Sequence, residues 1–186
     1  MPTPSGPSWV SKFPGSKDLG TLKGAFASGA LNFVKALRAA KAHVAITATF
    51  RPPQRAYLMH YAWQIAHSEI EAAKVPAMSG VDILWVHKDK AGKIDVAASK
   101  QAALEMVNAY KMAHQAVLKT RHEEGLAVDM NITWSGELSV KDAKGKVVNI
   151  KSSPQNNTNK DLQAVGLTYN VHHLGSDFPH WSSDGH

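Results

Sequence analysis

The pattern of hydrophobic and polar positions changes its period along the chain, and each period predicts a different kind of element. From Thr21 to Lys41, apolar residues recur every three or four positions, which is typical of an amphipathic helix. From Leu126 to Trp134 they alternate strictly, which predicts a strand with one buried face. The apolar face of that strand carries Leu126, Val128, Met130, Ile132 and Trp134, and the other face carries Ala127, Asp129, Asn131 and Thr133.

Shorter segments show the same two patterns. We predict strands at residues 43–49, 81–87, 137–140, 147–150 and 168–172, and helices at residues 54–73, 99–114 and 161–165. The pair Pro52-Pro53 favours a helix start, and Ser99 is the predicted N-cap of the next helix. Because helices and strands mix without a repeating βαβ unit, the predicted fold class is α+β, an antiparallel sheet with flanking helices.

The composition is that of a folded domain, with 186 residues of which 44% are hydrophobic and 19% charged. We expect a single domain over residues 15–186, preceded by a flexible tail over residues 1–14 that is rich in Pro, Ser and Gly. That tail lacks the features of a secretory signal, and no apolar run is long enough to span a membrane. Since the chain has no cysteine, any metal must be held by His, Asp or Glu.

The chain is basic, with a formal net charge of +6 and a pI near 9.5. Its Lys and Arg residues are scattered, without a basic block or interleaved aromatic residues, so we expect no nucleic-acid binding. Attraction to an anionic polymer such as a bacterial cell wall agrees with the same charge.

Two separated segments carry residues suited to metal chemistry. His122 and Asp129 flank Gly125 in the first segment, and His180 lies in the second. Two histidines and one carboxylate form the ligand set that a catalytic zinc uses while one position stays open for water. Asp177, three residues before His180, stands where a general base is needed. The combination predicts metal-assisted hydrolysis.

The segments His122-x-x-Gly125-x-Ala127-x-Asp129 and Asp177-x-x-His180-Trp181 resemble the motifs of the VanY-like zinc peptidases. This family contains D-alanyl-D-alanine carboxypeptidases and L-alanyl-D-glutamate endopeptidases with the Hedgehog/DD-peptidase fold. The resemblance extends upstream to Thr49-Phe50-Arg51-Pro52-Pro53-Gln54. Residues 51–60 and 179–182 carry a closer resemblance to a phage- and proteobacteria-associated branch.

The resemblance implies a role for each matching residue. His122, Asp129 and His180 would bind one zinc ion, Asp177 would be the general base, and Arg51 would stabilise the developing oxyanion. We also expect Thr120, Trp181 and Gln54 to contact substrate. The chain departs from the common pattern at two positions: Thr120 replaces a serine, and Asp177 replaces the glutamate of some members.

The function implied is hydrolysis of a peptide bond in the stem peptides of bacterial peptidoglycan, by either an endopeptidase or a carboxypeptidase. We expect a monomer, made in the cytoplasm, that reaches the cell wall by phage lysis or by a secretion system. The alternative is a catalytically inactive, zinc-stabilised module that binds cell wall or protein, because this fold does not guarantee catalysis. An amidase is the nearest enzymatic alternative.

Overall fold

The computed structural model describes residues 2–186, which contain five α-helices and several small sheets. The helices are α1 (Gly24–Ala39), α2 (Pro53–Ala66), α3 (Val96–Tyr110), α4 (Arg121–Glu124) and α5 (Lys160–Thr168). The strands are β1 (Thr3–Pro4), β2 (His43–Ala48), β3 (Ile83–Leu84), β4 (His87–Lys88), β5 (Ile94–Asp95), β6 (Ala127–Thr133), β7 (Leu138–Lys141), β8 (Val147–Ile150), β9 (His172–His173) and β10 (His180–Ser182). The expected mixture of helices and antiparallel strands is confirmed. Among residues 2–186, no helix combines the length and apolar character needed to cross a membrane.

The chain divides into two compact units, whereas the sequence predicted one domain. The first unit comprises the N-terminal segment up to Pro14 together with Pro52–Lys119, and the second comprises Gly15–Arg51 together with Thr120–His186. Each unit has its own cluster of buried apolar side chains.

In the first unit, α2 and α3 pack together, and their apolar side chains form the core with Trp9, Val81 and Trp85. Strand β1 pairs in parallel with β3, and the indole of Trp9 donates a hydrogen bond to the Pro4 carbonyl. Trp9 is buried, which removes a large aromatic ring from water. The segment predicted as a tail therefore contains a paired strand and a buried tryptophan.

The second unit is built on a four-stranded antiparallel sheet with the strand order β2–β6–β10–β9. The alternation predicted for the central strand β6 is confirmed, since Val128, Met130 and Ile132 are completely buried. These side chains share a core with α1, the β7–β8 hairpin and α5. Phe33 of α1 contacts Trp181 of β10, with ring centroids 5.5 Å apart. One face of the sheet is therefore covered, and Asp129 lies on the opposite face.

Three predicted boundaries are wrong for local reasons. Helix α2 ends at Ala66, because the backbone of Ser68 turns into the left-handed region with a φ of 61°. The cap of α3 is Asp95, whose carboxylate accepts the amide of Ala98, while Ser99 lies inside the helix. The predicted strand 168–172 is mostly the end of α5 and a turn at Asn170, where φ is 58°.

Candidate metal centre

Strand pairing places Asp129 next to His180. The two residues are direct partners in the register of β6 and β10, so their side chains leave the same face of the sheet. The next pair, Val128 and Trp181, points into the core. The alternation of the strands thus directs one ligand pair away from the core while its neighbours anchor the sheet.

His122 reaches the same site from the short helix α4. The helix ends at Gly125, which has a φ of 73°, and β6 begins two residues later. A side chain at position 125 would also meet the Thr21 carbonyl oxygen and Lys23 Cγ, each at 3.0 Å. Gly125 therefore permits both the turn and the close packing that carry the chain from His122 into the strand.

The three predicted ligands converge on one point. Asp129 Oδ1 lies 3.1 Å from His122 Nε2 and 3.1 Å from His180 Nδ1. The two imidazole rings are nearly perpendicular, and the three ligand atoms all lie within 4.8 Å of one another. Ligand atoms around a tetrahedral zinc are about 3.3 Å apart, given metal–ligand bonds of about 2.0–2.1 Å. The donor set and its spacing therefore fit a metal ion of this kind.

A backbone oxygen atom lies next to the second ring nitrogen of each histidine, on the side away from Asp129. The Thr49 carbonyl oxygen lies 3.4 Å from His122 Nδ1, and the His186 carbonyl oxygen lies 3.2 Å from His180 Nε2. A metal-binding histidine usually donates its second N–H to such an acceptor, which fixes the tautomer and the ring orientation. Each ring thus presents its other nitrogen to the point shared with Asp129.

An ion pair holds the segment that supplies the His186 carbonyl. Arg121 of α4 forms a bidentate ion pair with Asp184, and its hydrogen bonds hold the pKa of Asp184 below its usual value. Asp184 Oδ1 also accepts the backbone amide of His186 at 3.3 Å. The helix that carries His122 is therefore linked to the segment behind His180.

The electrostatics of the triad favour an anionic Asp129 carboxylate and a protonated His180 imidazole. Burial alone would raise the pKa of Asp129, but hydrogen bonds from His122 and His180 outweigh it and hold that pKa far below its usual value. Burial would lower the pKa of His180, yet the hydrogen bond and charge of Asp129 raise it overall. A positive charge at the shared point is therefore stabilised.

Asp177 and Arg51 belong to chain segments that adjoin the triad. Asp177 lies in the exposed loop before β10, close enough to His180 for its charge to raise the pKa of that histidine. Arg51 is half-buried, and its backbone amide lies 3.5 Å from the His122 carbonyl oxygen. Within residues 2–186, neither charged group has a hydrogen-bond or ion-pair partner.

The three residues expected to contact substrate have different positions. Thr120 precedes α4, and its hydroxyl is buried without a hydrogen-bond partner among residues 2–186. Trp181 is completely buried in the core, where its ring contacts Phe33 and His173. Gln54 lies in the first turn of α2, which belongs to the other compact unit.

One buried polar residue next to the Asp177 loop, Asn157, was not predicted from the sequence. Asn157 is completely buried. Its amide contacts both β6 and the loop that follows Asp177. No local pattern marks such a residue, because its partners lie more than 20 positions away along the chain.

The chain matches no protein-family model and no curated protein.

Proposed function

We propose that this protein is a zinc-dependent peptidase that hydrolyses a peptide bond in the stem peptides of bacterial peptidoglycan. The observation that carries the proposal is the convergence of His122, Asp129 and His180, with the unpaired carboxylate of Asp177 three residues before His180. A purely structural zinc site is normally closed by four protein ligands. Here the group has three ligands, Asp177 lies in the loop before β10, and the backbone amide of Arg51 contacts the His122 carbonyl.

His122, Asp129 and His180 would hold the zinc ion, which would supply Lewis-acid chemistry to a substrate carbonyl group and to water. Asp177 takes the proton of the attacking water and passes it to the leaving amine. Arg51 balances the negative charge that develops on the carbonyl oxygen. His122, Asp129 and His180 hold their positions throughout, because the sheet register and the carbonyl groups of Thr49 and His186 fix them.

Further parts of the proposal rest on the resemblance to the VanY-like family. The mixture of helices with an antiparallel sheet agrees with the Hedgehog/DD-peptidase fold. The basic charge of the chain favours association with an anionic cell wall. We propose one zinc ion per chain, a monomeric protein, and action on the wall after phage lysis or export.

The test is mass spectrometry of muropeptides after purified sacculi have been incubated with the zinc-loaded protein. We expect stem-cleaved products from the parent and none from His180→Ala or Asp177→Asn. The masses distinguish the two peptidase types, because a carboxypeptidase removes the terminal residue and an endopeptidase cuts within the stem. Products cleaved between the sugar and the peptide would instead indicate an amidase.

The same samples test the non-enzymatic alternative. If zinc is bound stoichiometrically and no product forms from sacculi of several chemotypes, the peptidase proposal is wrong. Co-sedimentation with intact sacculi would then support a zinc-stabilised binding module. The Asp177→Asn variant is the appropriate comparison, since it keeps all three proposed ligands.

A further inference from the structure

Asn157 connects the strand that carries Asp129 to the loop that carries Asp177. Its Oδ1 atom accepts the Ile132 amide at 2.8 Å. Its Nδ2 group donates to the Met130 and Phe178 carbonyl oxygens, each at 2.7 Å. Both N–H bonds of the side chain therefore donate, one to the residue after Asp129 and one to the residue after Asp177.

A second contact holds the same loop carbonyl. His173 Nε2 lies 2.9 Å from the Phe178 oxygen, and His173 Nδ1 lies 3.1 Å from Gln163 Nε2. Gln163 Nε2 also donates to the Asn157 carbonyl at 2.9 Å. With the His173 proton on Nε2, every donor in this set meets an acceptor. Asn157, Gln163 and His173 thus form one saturated network, which we call the loop clamp.

The loop clamp contacts a loop whose side chains are exposed to solvent. Residues 175–178 are exposed, and Asp177 lies directly before the clamped residue Phe178. The Pro179 carbonyl accepts the Met130 amide at 2.8 Å, which ties the other side of the loop to β6. The Asp177 backbone is therefore held by hydrogen bonds within the loop and by the contacts of its neighbours to residues 130 and 157, and not by burial of the loop itself.

We infer that Asn157 is a positioning residue that holds Asp177 at the reach required for proton transfer. The inference rests on the proposed peptidase function. Complete burial of an amide is costly unless each polar atom is paired, and all three contacts of Asn157 go to the two segments that carry Asp129 and Asp177. A displacement of about 1 Å at a reacting group reduces rates by on the order of 100-fold.

The first experiment replaces Asn157 with aspartate, which keeps the shape and the acceptor for Ile132 but removes both donors. We expect kcat for a synthetic stem peptide to fall on the order of 10- to 100-fold, with KM changed less than about threefold and zinc content unchanged. Asn159→Asp is the matched control. Asn159 is also completely buried, and its Nδ2 donates to the Ser152 and Pro154 carbonyl oxygens, away from the loop. That control should lose stability while it keeps kcat.

The milder variant Gln163→Met guards against failure of Asn157→Asp to fold. Methionine has a similar length, and Gln163 is only half-buried, so the helix should tolerate it. It removes the hydrogen bonds to the Asn157 carbonyl and to His173. We expect a smaller fall in kcat, about three- to tenfold, again without a change in KM. An unchanged kcat in both loop-clamp variants would overturn the inference.

A kinetic cycle tests whether the effect passes through Asp177. If Asn157 acts by holding that carboxylate, adding Asn157→Asp to Asp177→Asn should lower the residual rate much less than it lowers the parent rate. Equal fold-losses in the two backgrounds would show that Asn157 does not act through Asp177.

Hydrogen exchange separates this inference from the peptidase proposal. The Asp177 amide is bonded to the Leu174 carbonyl and the His180 amide to the Asp177 carbonyl, so both report on the loop. In Asn157→Asp and Gln163→Met, these amides should exchange at least about tenfold faster than in Asn159→Asp. If the parent cleaves no stem peptide but this difference appears, the function is wrong and the clamp stands. Unchanged exchange in both variants would refute the clamp itself.

Discussion

Asp129 and His180 face each other directly across β6 and β10, and Asp129 Oδ1 lies 3.1 Å from His180 Nδ1. His122 Nε2 approaches the same oxygen at the same distance. Two imidazoles from different elements therefore share a single carboxylate oxygen. In the metal-free protein this arrangement favours a proton between the groups, and a bound cation must displace it.

Removing either histidine should prevent stable metal binding. We expect His122→Ala and His180→Ala to bind no zinc after dialysis against a weak chelator, because each leaves only two ligands. His67→Ala is the control, since His67 is exposed and lies in the other compact unit. Elemental analysis gives the answer, and stoichiometric zinc in both ligand variants would disprove the assignment.

Asp177→Asn should abolish most catalysis without loss of metal. General acid–base catalysis contributes about 100- to 10,000-fold, and we expect a fall of that size in kcat. The carboxylate of Asp177 has no hydrogen-bond partner among residues 2–186, so the free energy of unfolding should hardly change. Stem-peptide kinetics and elemental analysis measure both effects, and a variant with nearly parental activity would exclude Asp177 as the base.

Arg51→Ala should impair the reaction while the fold is retained. Removing one preorganised donor to an oxyanion typically costs about 100- to 1,000-fold in kcat. Arg51→Lys should recover part of this loss, because the charge remains while the planar guanidinium is lost. Arg38→Ala serves as a control for removing an arginine that bonds a backbone carbonyl in the same unit. Activity near the parent level in Arg51→Ala would remove Arg51 from the mechanism.

The stability of the protein should depend on pH in opposite directions with and without zinc. The pKa of His180 is raised above its usual 6.5, so its protonated form stabilises the metal-free fold. That stabilisation is complete below about pH 6.5 and is lost as the pH rises through the raised pKa. The pKa of Asp129 is lowered, so its contribution is present throughout the neutral range and is lost only in acid.

Zinc requires neutral histidines, so the zinc-loaded protein should instead gain stability over the same rise in pH. Urea unfolding at about pH 6 and about pH 8 measures the two slopes. His180→Gln should flatten the slope of the metal-free protein relative to the parent. Parallel slopes for the metal-free and zinc-loaded forms would contradict the coupling.

Gly125→Ala should displace His122 and weaken metal binding. The new Cβ would lie 3.0 Å from the Thr21 carbonyl oxygen, at a φ of 73° that alanine adopts poorly. We expect a loss of about 1–3 kcal/mol in the free energy of unfolding, together with lower zinc affinity. Gly145→Ala separates the two causes, because position 145 has a φ of 82° but no atom within 4 Å of the added carbon. Equal losses in both variants would show that crowding at Gly125 is unimportant.

The local patterns of the sequence predicted the elements whose period is strong. The alternation from Leu126 to Trp134 produced β6 with the expected buried face, and the three- to four-residue period produced α1. The 147–150 strand was predicted with its observed bounds. Boundaries failed where a single backbone turn decided them, as at Ser68 and Asn170, because a positive φ leaves little trace in hydrophobicity.

By itself, the sequence determined the types of ligand available to a metal and the face of β6 on which the Asp129 side chain lies. Side-chain chemistry and strand alternation are local properties, so each can be recognised within a single short segment of the chain. Tertiary structure decided that Asp129 pairs with His180, that Trp181 lies in the core, and that Asn157 holds the loop of Asp177. These outcomes depend on strand register and on contacts between distant segments, which form only when the sheet and its core assemble together.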